Sequence, residues 1–252
     1  MAPDKIRKLS PFKAISHAFN SVYTYRSAAL RIGLFWIPVL FLLGLAEIMV
    51  GPPDMKVPKL DLPVLLQIVT AIVGFIGFCS MAVSWHRFIL RDELGPPSRL
   101  DGPVWRYAGN SLLIMSIIVV PTIAAVVLSL LIQNIGILFL PLALVAGAVV
   151  TRLSITLPAV ALGRSDFGFR DAWKVSEDNF WQILGLFLLN MAVVFGTLLV
   201  LVLVAGAIGS ISPAAAKVFL LISDAVLKLF LTLFNASIFT SLYGFFVERR
   251  DF

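Results

Sequence analysis

The sequence predicts an all-α integral membrane protein with six transmembrane helices, and three observations carry that reading. Of 252 residues, 60% are hydrophobic and 13% charged, far more apolar surface than one soluble core buries, since globular domains run near half apolar and a quarter charged. The apolar residues fall in continuous runs of ~20 or more, the length that crosses a ~30 Å hydrocarbon core, whereas a transmembrane barrel would show alternating segments of about ten. The lysines and arginines gather between the runs, so the net charge of +6 reads as a topology signal and not as a nucleic-acid surface.

Taken in order, residues 1–27 are an N-terminal amphipathic segment, and residues 28–252 hold spans at about 30–50, 62–84, 111–132, 135–162, 183–208 and 216–247. The first run starts too far along the chain for a signal peptide and shows no small-x-small site before "GPPDM", so it reads as a first span. Only "QNIG" separates the third and fourth spans, a minimal break for a tight helical hairpin. With the N-terminus inside, Lys5, Arg7, Lys8, Lys13, Arg26, Arg87, Arg91, Arg99, Arg106, Arg164, Arg170, Lys174, Arg249 and Arg250 lie on the cytoplasmic side. Lys56, Lys59 and Lys217 then lie outside. The bias places both termini in the cytoplasm and the chain in the inner (plasma) membrane.

The approaches to the odd-numbered spans resemble one another. Asp101 and Asp171, then Trp105 and Trp173, each followed by a basic residue, then Asn110 and Asn179 precede the third and fifth runs. With "PFKAISHAF" ahead of the first, this suggests three repeats of an interfacial amphipathic helix plus a helical hairpin. Asp171 or Ser165 is placed to cap the third such helix. Pro121, Pro141 and Pro158 lie inside helical runs and are expected to bend them. Gly74, Gly77, Ala205 and Gly209 permit close packing.

Little in the sequence carries catalytic chemistry. Cys79 is the lone cysteine, and His17 and His86 are the two histidines, too few for a disulfide framework, a thiolate cluster or a His-based metal site. No phosphate loop, zinc-protease or nucleophile-elbow motif appears. The acid–base groups available, His86 with Asp92 and Glu93, or Asp166 and Asp171, do not resemble a hydrolase centre. No enzyme activity, metal or cofactor is expected.

The functional signal rests on charges within apolar runs. Arg152, in "AVVTRLSITLPAVAL", falls ~26 Å along the fourth span if that helix enters at residue 135, near its cytoplasmic edge. It reads either as a snorkelling anchor, as part of an inner-leaflet pocket with Arg87 and Arg106 that binds phosphate or carboxylate, or as one half of an ion pair. Trp105 and Trp173 are candidate lipid contacts beside it. Asp224 and Lys228, spaced i,i+4 on the last span, pair on one face. With Glu47 they form a candidate outer polar cluster. His86 is expected at the inner interface, as a hydrogen-bonding residue.

"WHRFILRDE" after the second span, "RLSITLPAVALGR" at the fourth and "FRDAWKVSEDNFWQILGLFLL" into the fifth resemble the bacterial multi-pass family that includes the membrane domain of glycerophosphodiester phosphodiesterases and its stand-alone relatives. The likeness spans roughly residues 85–195. It implies a membrane module without the soluble hydrolase barrel, for which this chain has no room. The function expected is therefore a non-enzymatic membrane scaffold, accessory or lipid-interacting module, with anionic phospholipid of the cytoplasmic leaflet and a membrane-protein subunit as partners. A small transporter or lipid-translocating protein for an anionic amphipathic substrate is the alternative, although a threefold repeat does not match the inverted repeats of secondary carriers.

Overall fold

A computed structural model describes residues 7–53, 60–131 and 139–251, and among these every regular element is helical. The order is α1 (Pro11–Thr24), α2 (Arg26–Gly33), α3 (Trp36–Val50), α4 (Leu62–Arg91), α5 (Gly102–Leu131), α6 (Phe139–Leu153), α7 (Thr156–Ala161) and α8 (Phe169–Val175). A 3-10 turn (Glu177–Asn179) then leads into α9 (Phe180–Gly209) and α10 (Pro213–Phe246).

Helix starts follow local chemistry. Ser10, Asp61 and Ser212 each accept a hydrogen bond from the backbone N–H three residues on, at 3.4, 3.1 and 3.3 Å, and a proline stands in the first turn of α1, α4 and α10. The cap satisfies one orphan amide, and the proline removes another where none is needed. Asp92 ends α4 in the left-handed region at φ 56°, a conformation that a short polar side chain tolerates.

Among the described residues, five helical stretches are long and apolar enough to cross a membrane: Leu62–Arg91, Gly102–Leu128, Pro141–Ala161, Glu177–Gly209 and Pro213–Phe246. The expected first span at 30–50 is not one straight helix, because α2 and α3 meet at a 52° bend. The third apolar helix begins at Gly102 and not near 111, so Trp105, Arg106 and Asn110 ride on the same helix as the apolar run. A short helix separate from the long apolar one is present before α9 (α8), and α1 stands apart from α3. No such break precedes the apolar part of α5. The "QNIG" turn lies outside the described residues.

The fourth run breaks at Ser154–Ile155, one turn before Pro158. Proline at 158 has no N–H to give the Ser154 carbonyl and its ring crowds that carbonyl. The Leu157 N–H takes the Ser154 oxygen instead, at 3.1 Å in the tighter i→i+3 pattern. The disturbance expected at Pro158 thus shows as a local break in the helix at the residues whose carbonyl it blocks.

Burial is uneven along the long helices. On α4 the buried residues are Gly77 and Cys79–His86, on α10 most of Leu229–Phe245, and on α9 chiefly Ile183 and Leu186. The opposite halves expose Ile68, Ile72, Val120, Val200 and Val218. The packed half holds Arg7 against the Phe245 carbonyl and Asp251, so both ends of the described chain meet there. We call it the near end and the opposite one the far end. α10 runs through the middle, against α1, α3, α4, α7 and α9. Small residues set two close approaches: a Cβ at Gly77 would lie 2.8 Å from the Trp36 ring, and one at Gly147 2.3 Å from the Phe187 ring. Gly74 and Gly209, by contrast, meet their neighbours at 3.8 and 3.6 Å, ordinary contact distances.

Candidate functional site

At the near end the polar side chains of the packed half bond to one another. The Trp36 indole donates to Ser80 Oγ (3.1 Å), whose hydroxyl donates to the Arg99 carbonyl (2.6 Å). The Trp85 indole donates to Ser237 Oγ at 2.8 Å. His86, expected as a hydrogen-bonding residue at the inner interface, does hydrogen-bond but is fully buried among the helices. Its Nδ1 lies 2.7 Å from Thr240 Oγ1 and its Nε2 3.3 Å from the Tyr107 hydroxyl, so it ties α4 to both α10 and α5. Most buried polar groups in folded proteins are hydrogen-bonded, and these bonds join α4 to α5 and α10, while the nearby hydroxyls of Ser84 and Ser111 are buried without a partner among the described residues.

Arg152 belongs to the same end and is 4% exposed. Its Nε donates to Ser176 Oγ at 3.0 Å, its Nη2 to the Trp173 carbonyl at 2.6 Å, and the guanidinium carbon lies 3.8 Å from the Trp173 ring centroid. The fork therefore clamps α6 to α8. Arg87 pairs with Glu93 and donates through Nη1 to the Ala161 carbonyl at 3.2 Å, tying α4 to the end of α7. Arg106 is exposed, and its carbonyl accepts from Asn110. Arg152 and Arg87 thus each hold their own protein partners, whereas the Arg106 side chain is exposed. Trp105 is exposed and donates to the Leu100 carbonyl at 3.1 Å.

The two residues aligned in sequence as Asn110 and Asn179 differ in role. Asn179, 3% exposed, receives the Leu9 N–H at 2.8 Å and donates to the Arg7 carbonyl at 3.1 Å, pinning the segment ahead of α1 to the start of α9. Asp171 accepts the Gly168 N–H at 2.9 Å, closing the first turn of α8. Asp166 pairs with Arg164 at 2.5 Å, and this bond holds its carboxyl below the ordinary range and the guanidinium above its own. Arg164 also donates to the Tyr243 hydroxyl at 2.6 Å.

Between α1 and the near ends of α4 and α10 lies a cavity of about 560 Å³. Phe88, Ile89, Leu90 and Phe245 give it an apolar side, and His17, Ser21, Arg91, Thr240 and Ser241 a polar one. His17 Nδ1 is 2.9 Å from Ser241 Oγ, and burial against this wall lowers the ring's affinity for a proton. The sequence signal for the cavity was the i,i+4 step from His17 to Ser21, which sets both on one face of an amphipathic helix.

A second cavity, also about 560 Å³, opens at the far end between α3, α4 and α10. Glu47, Asp224 and Lys228 line it together, with Lys217 and Gln67. The structure thus brings the expected polar cluster into one place. Lys228 Nζ lies 2.6 Å from Asp224 Oδ2. No group of three or more potential metal ligands occurs among the described residues.

No known family, curated protein or solved structure matches the chain.

Proposed function

We propose that the protein is a non-enzymatic, lipid-interacting membrane module: six spans, counting bent α2–α3 as one, with the near end in the cytoplasmic leaflet of the inner membrane. A distant relation to the glycerophosphodiester phosphodiesterase membrane domains is part of this proposal. The observation that carries it is the near-end cavity. It lies where Arg91, Arg250 and the amphipathic α1 meet the ends of two long apolar helices, a position that the proposal sets at the level where headgroups and acyl chains change over. The wall is apolar on one side and on the other carries Arg91 and Arg250 with the carboxylates Asp92 and Asp251. Asp251 is paired with Arg7 and Arg250 with Glu248, so the reading puts the phospholipid phosphate on the Arg91 guanidinium and its chains along Phe88 and Phe245.

The surroundings support the same reading. Exposed Phe12, Tyr23, Trp105, Trp173 and Trp181 stand on the near-end helices together with exposed Lys13, Arg26, Arg106 and Lys174. Amphipathic rings beside basic groups suit the headgroup layer of an anionic leaflet. The acid–base candidates are committed elsewhere: His86 to Thr240 and Tyr107, Glu93 to Arg87, Asp166 to Arg164. That favours binding over catalysis.

Native mass spectrometry of the gently extracted protein tests the proposal. An anionic phospholipid at fixed stoichiometry is expected, and Arg91→Gln should deplete it. A lipid profile unchanged by Arg91→Gln, or one with no anionic lipid retained, would sink the reading.

A further inference from the structure

The far-end cavity is the place where charge enters the apolar half of the bundle. Along α10, Lys217 to Lys228 spans ~16 Å at the helical rise, so the cavity runs from a mouth beside Gly51 and Pro63 down to a base at Lys228. Pro213 starts the helix, which sets Asp224 and Lys228 ~16 and ~22 Å from its far end, well within the apolar length. Ionisable groups within a long apolar helix are costly to place in a membrane and are read first as candidate functional sites.

The charges are balanced in sign. Two carboxylates, Glu47 and Asp224, and two ammonium groups, Lys217 and Lys228, line one space. Asp224 and Lys228 neutralise each other at the base, and among the described residues Glu47 and Lys217 are not joined in an ion pair. A lone anion bound here would lie against two carboxylates, and a lone cation against two lysines. A ligand carrying both signs a few ångströms apart meets each with its complement. Leu66, Leu220 and Ile48 add apolar wall beside the charges, so the ligand is amphipathic as well as zwitterionic.

We infer that this cavity binds a zwitterionic phosphoethanolamine headgroup from the leaflet at the far end, its phosphate on the lysines and its primary ammonium donating to Glu47 and Asp224. A primary ammonium has three N–H donors for those carboxylates. A trimethylated one has none, so the site separates phosphatidylethanolamine from phosphatidylcholine by hydrogen bonding and from phosphatidylglycerol by charge. The inference concerns the opposite end from the anionic-lipid reading and does not depend on it.

The test is a native mass-spectrometric titration of the full chain in detergent with phosphatidylethanolamine, phosphatidylglycerol or phosphatidylcholine of matched acyl chains. One phosphatidylethanolamine is expected to bind in preference to the other two. Glu47→Gln and the exposed Lys217→Gln should each weaken it about tenfold, the loss of one charge-assisted hydrogen bond, while Arg91→Gln leaves it unchanged. Free phosphoethanolamine separates the two sources of this chemistry: no displacement at millimolar concentration assigns the lipid, and displacement assigns a soluble zwitterion. Equal binding of all three lipids, or affinity for phosphatidylethanolamine unmoved by both Glu47→Gln and Lys217→Gln, would overturn the inference. Loss of preference with Arg91→Gln alone would also overturn it and return the lipid to the near end.

Discussion

Arg152 and Trp173 are joined twice: the guanidinium carbon lies over the indole, 3.8 Å from the ring centroid, and the guanidinium donates at 2.6 Å to the carbonyl of the same residue. The charge that interrupts an apolar run is thereby used to hold α8 against α6. Arg152→Ala should lower stability by about 2–4 kcal/mol, from the lost cation–π contact and charge-assisted bonds. Arg152→Lys should recover only part, because an ammonium cannot stack on the ring while reaching Ser176 and the carbonyl together. Thermal unfolding in one detergent checks both. An Arg152→Ala protein that melts with wild type would show that the clamp is dispensable.

Glycines on one bundle should respond with opposite signs. A methyl at Gly147 meets three atoms of the Phe187 ring at 2.3–2.6 Å. The ring must leave its place, so Gly147→Ala should cost about 1–3 kcal/mol despite the helix preference for alanine. At Gly206 nothing lies within 4 Å, and Gly206→Ala should stabilise α9 by up to about 1 kcal/mol. Melting temperatures of the pair, compared with wild type, decide the point.

His17 supplies a pH dependence. Burial against the near-end cavity holds its pKa below the ordinary 6.5, so the neutral ring is favoured in the folded protein. The stability it contributes is complete above 6.5 and is lost as pH falls through the lower folded-state value. The groups around the ring are Ser241, Arg91, Asp92, Arg250 and Asp251. Wild type should therefore melt lower at pH 5.5 than at pH 7.5, and His17→Gln should narrow that gap. The effect is expected to be small, since the side chain keeps contact with solvent. A gap unaltered in His17→Gln would assign the dependence to another group.

What could be read from the sequence was what is local. Most of the apolar runs and the Asp224–Lys228 pair depend on residues close in sequence, and the structure holds them as long helices and as an ion pair. The caps at Ser10, Asp61 and Ser212 are equally local. Glu47 joins that pair in one cavity because α3 and α10 pack side by side, a relation that charge sign and shared depth suggested. Arg152 was visible as an anomaly, but its partners stand 21 and 24 residues away, across a chain reversal that no periodicity encodes. The same limit hid His86: a histidine beside tryptophan and arginine at a helix end looks interfacial until Thr240 and Tyr107 close over it. The matched Asp, Trp and Asn of two segments likewise say nothing of whether a helix breaks between them. α8 breaks before α9, whereas α5 runs on.

Asn179 should govern whether the segment ahead of α1 stays in place. Its amide both accepts from Leu9 and donates to the Arg7 carbonyl, in a setting where Leu9 and Asn179 are each 3% exposed. Asn179→Ala leaves a buried N–H without a partner, at a cost of about 1–3 kcal/mol. Asn179→Asp keeps the acceptor for Leu9 but loses the donor and sets a carboxylate against the Arg7 carbonyl. Both variants should release the segment more than they perturb the long helices, since those pack without it. Limited trypsin digestion should then cut after Arg7 or Lys8 faster in both variants than in wild type, while the fragment from α1 onward stays intact. Equal cleavage rates in all three would show that Lys8, bonded at 2.5 Å to the Asp178 carbonyl, and the burial of Leu9 suffice to hold the segment.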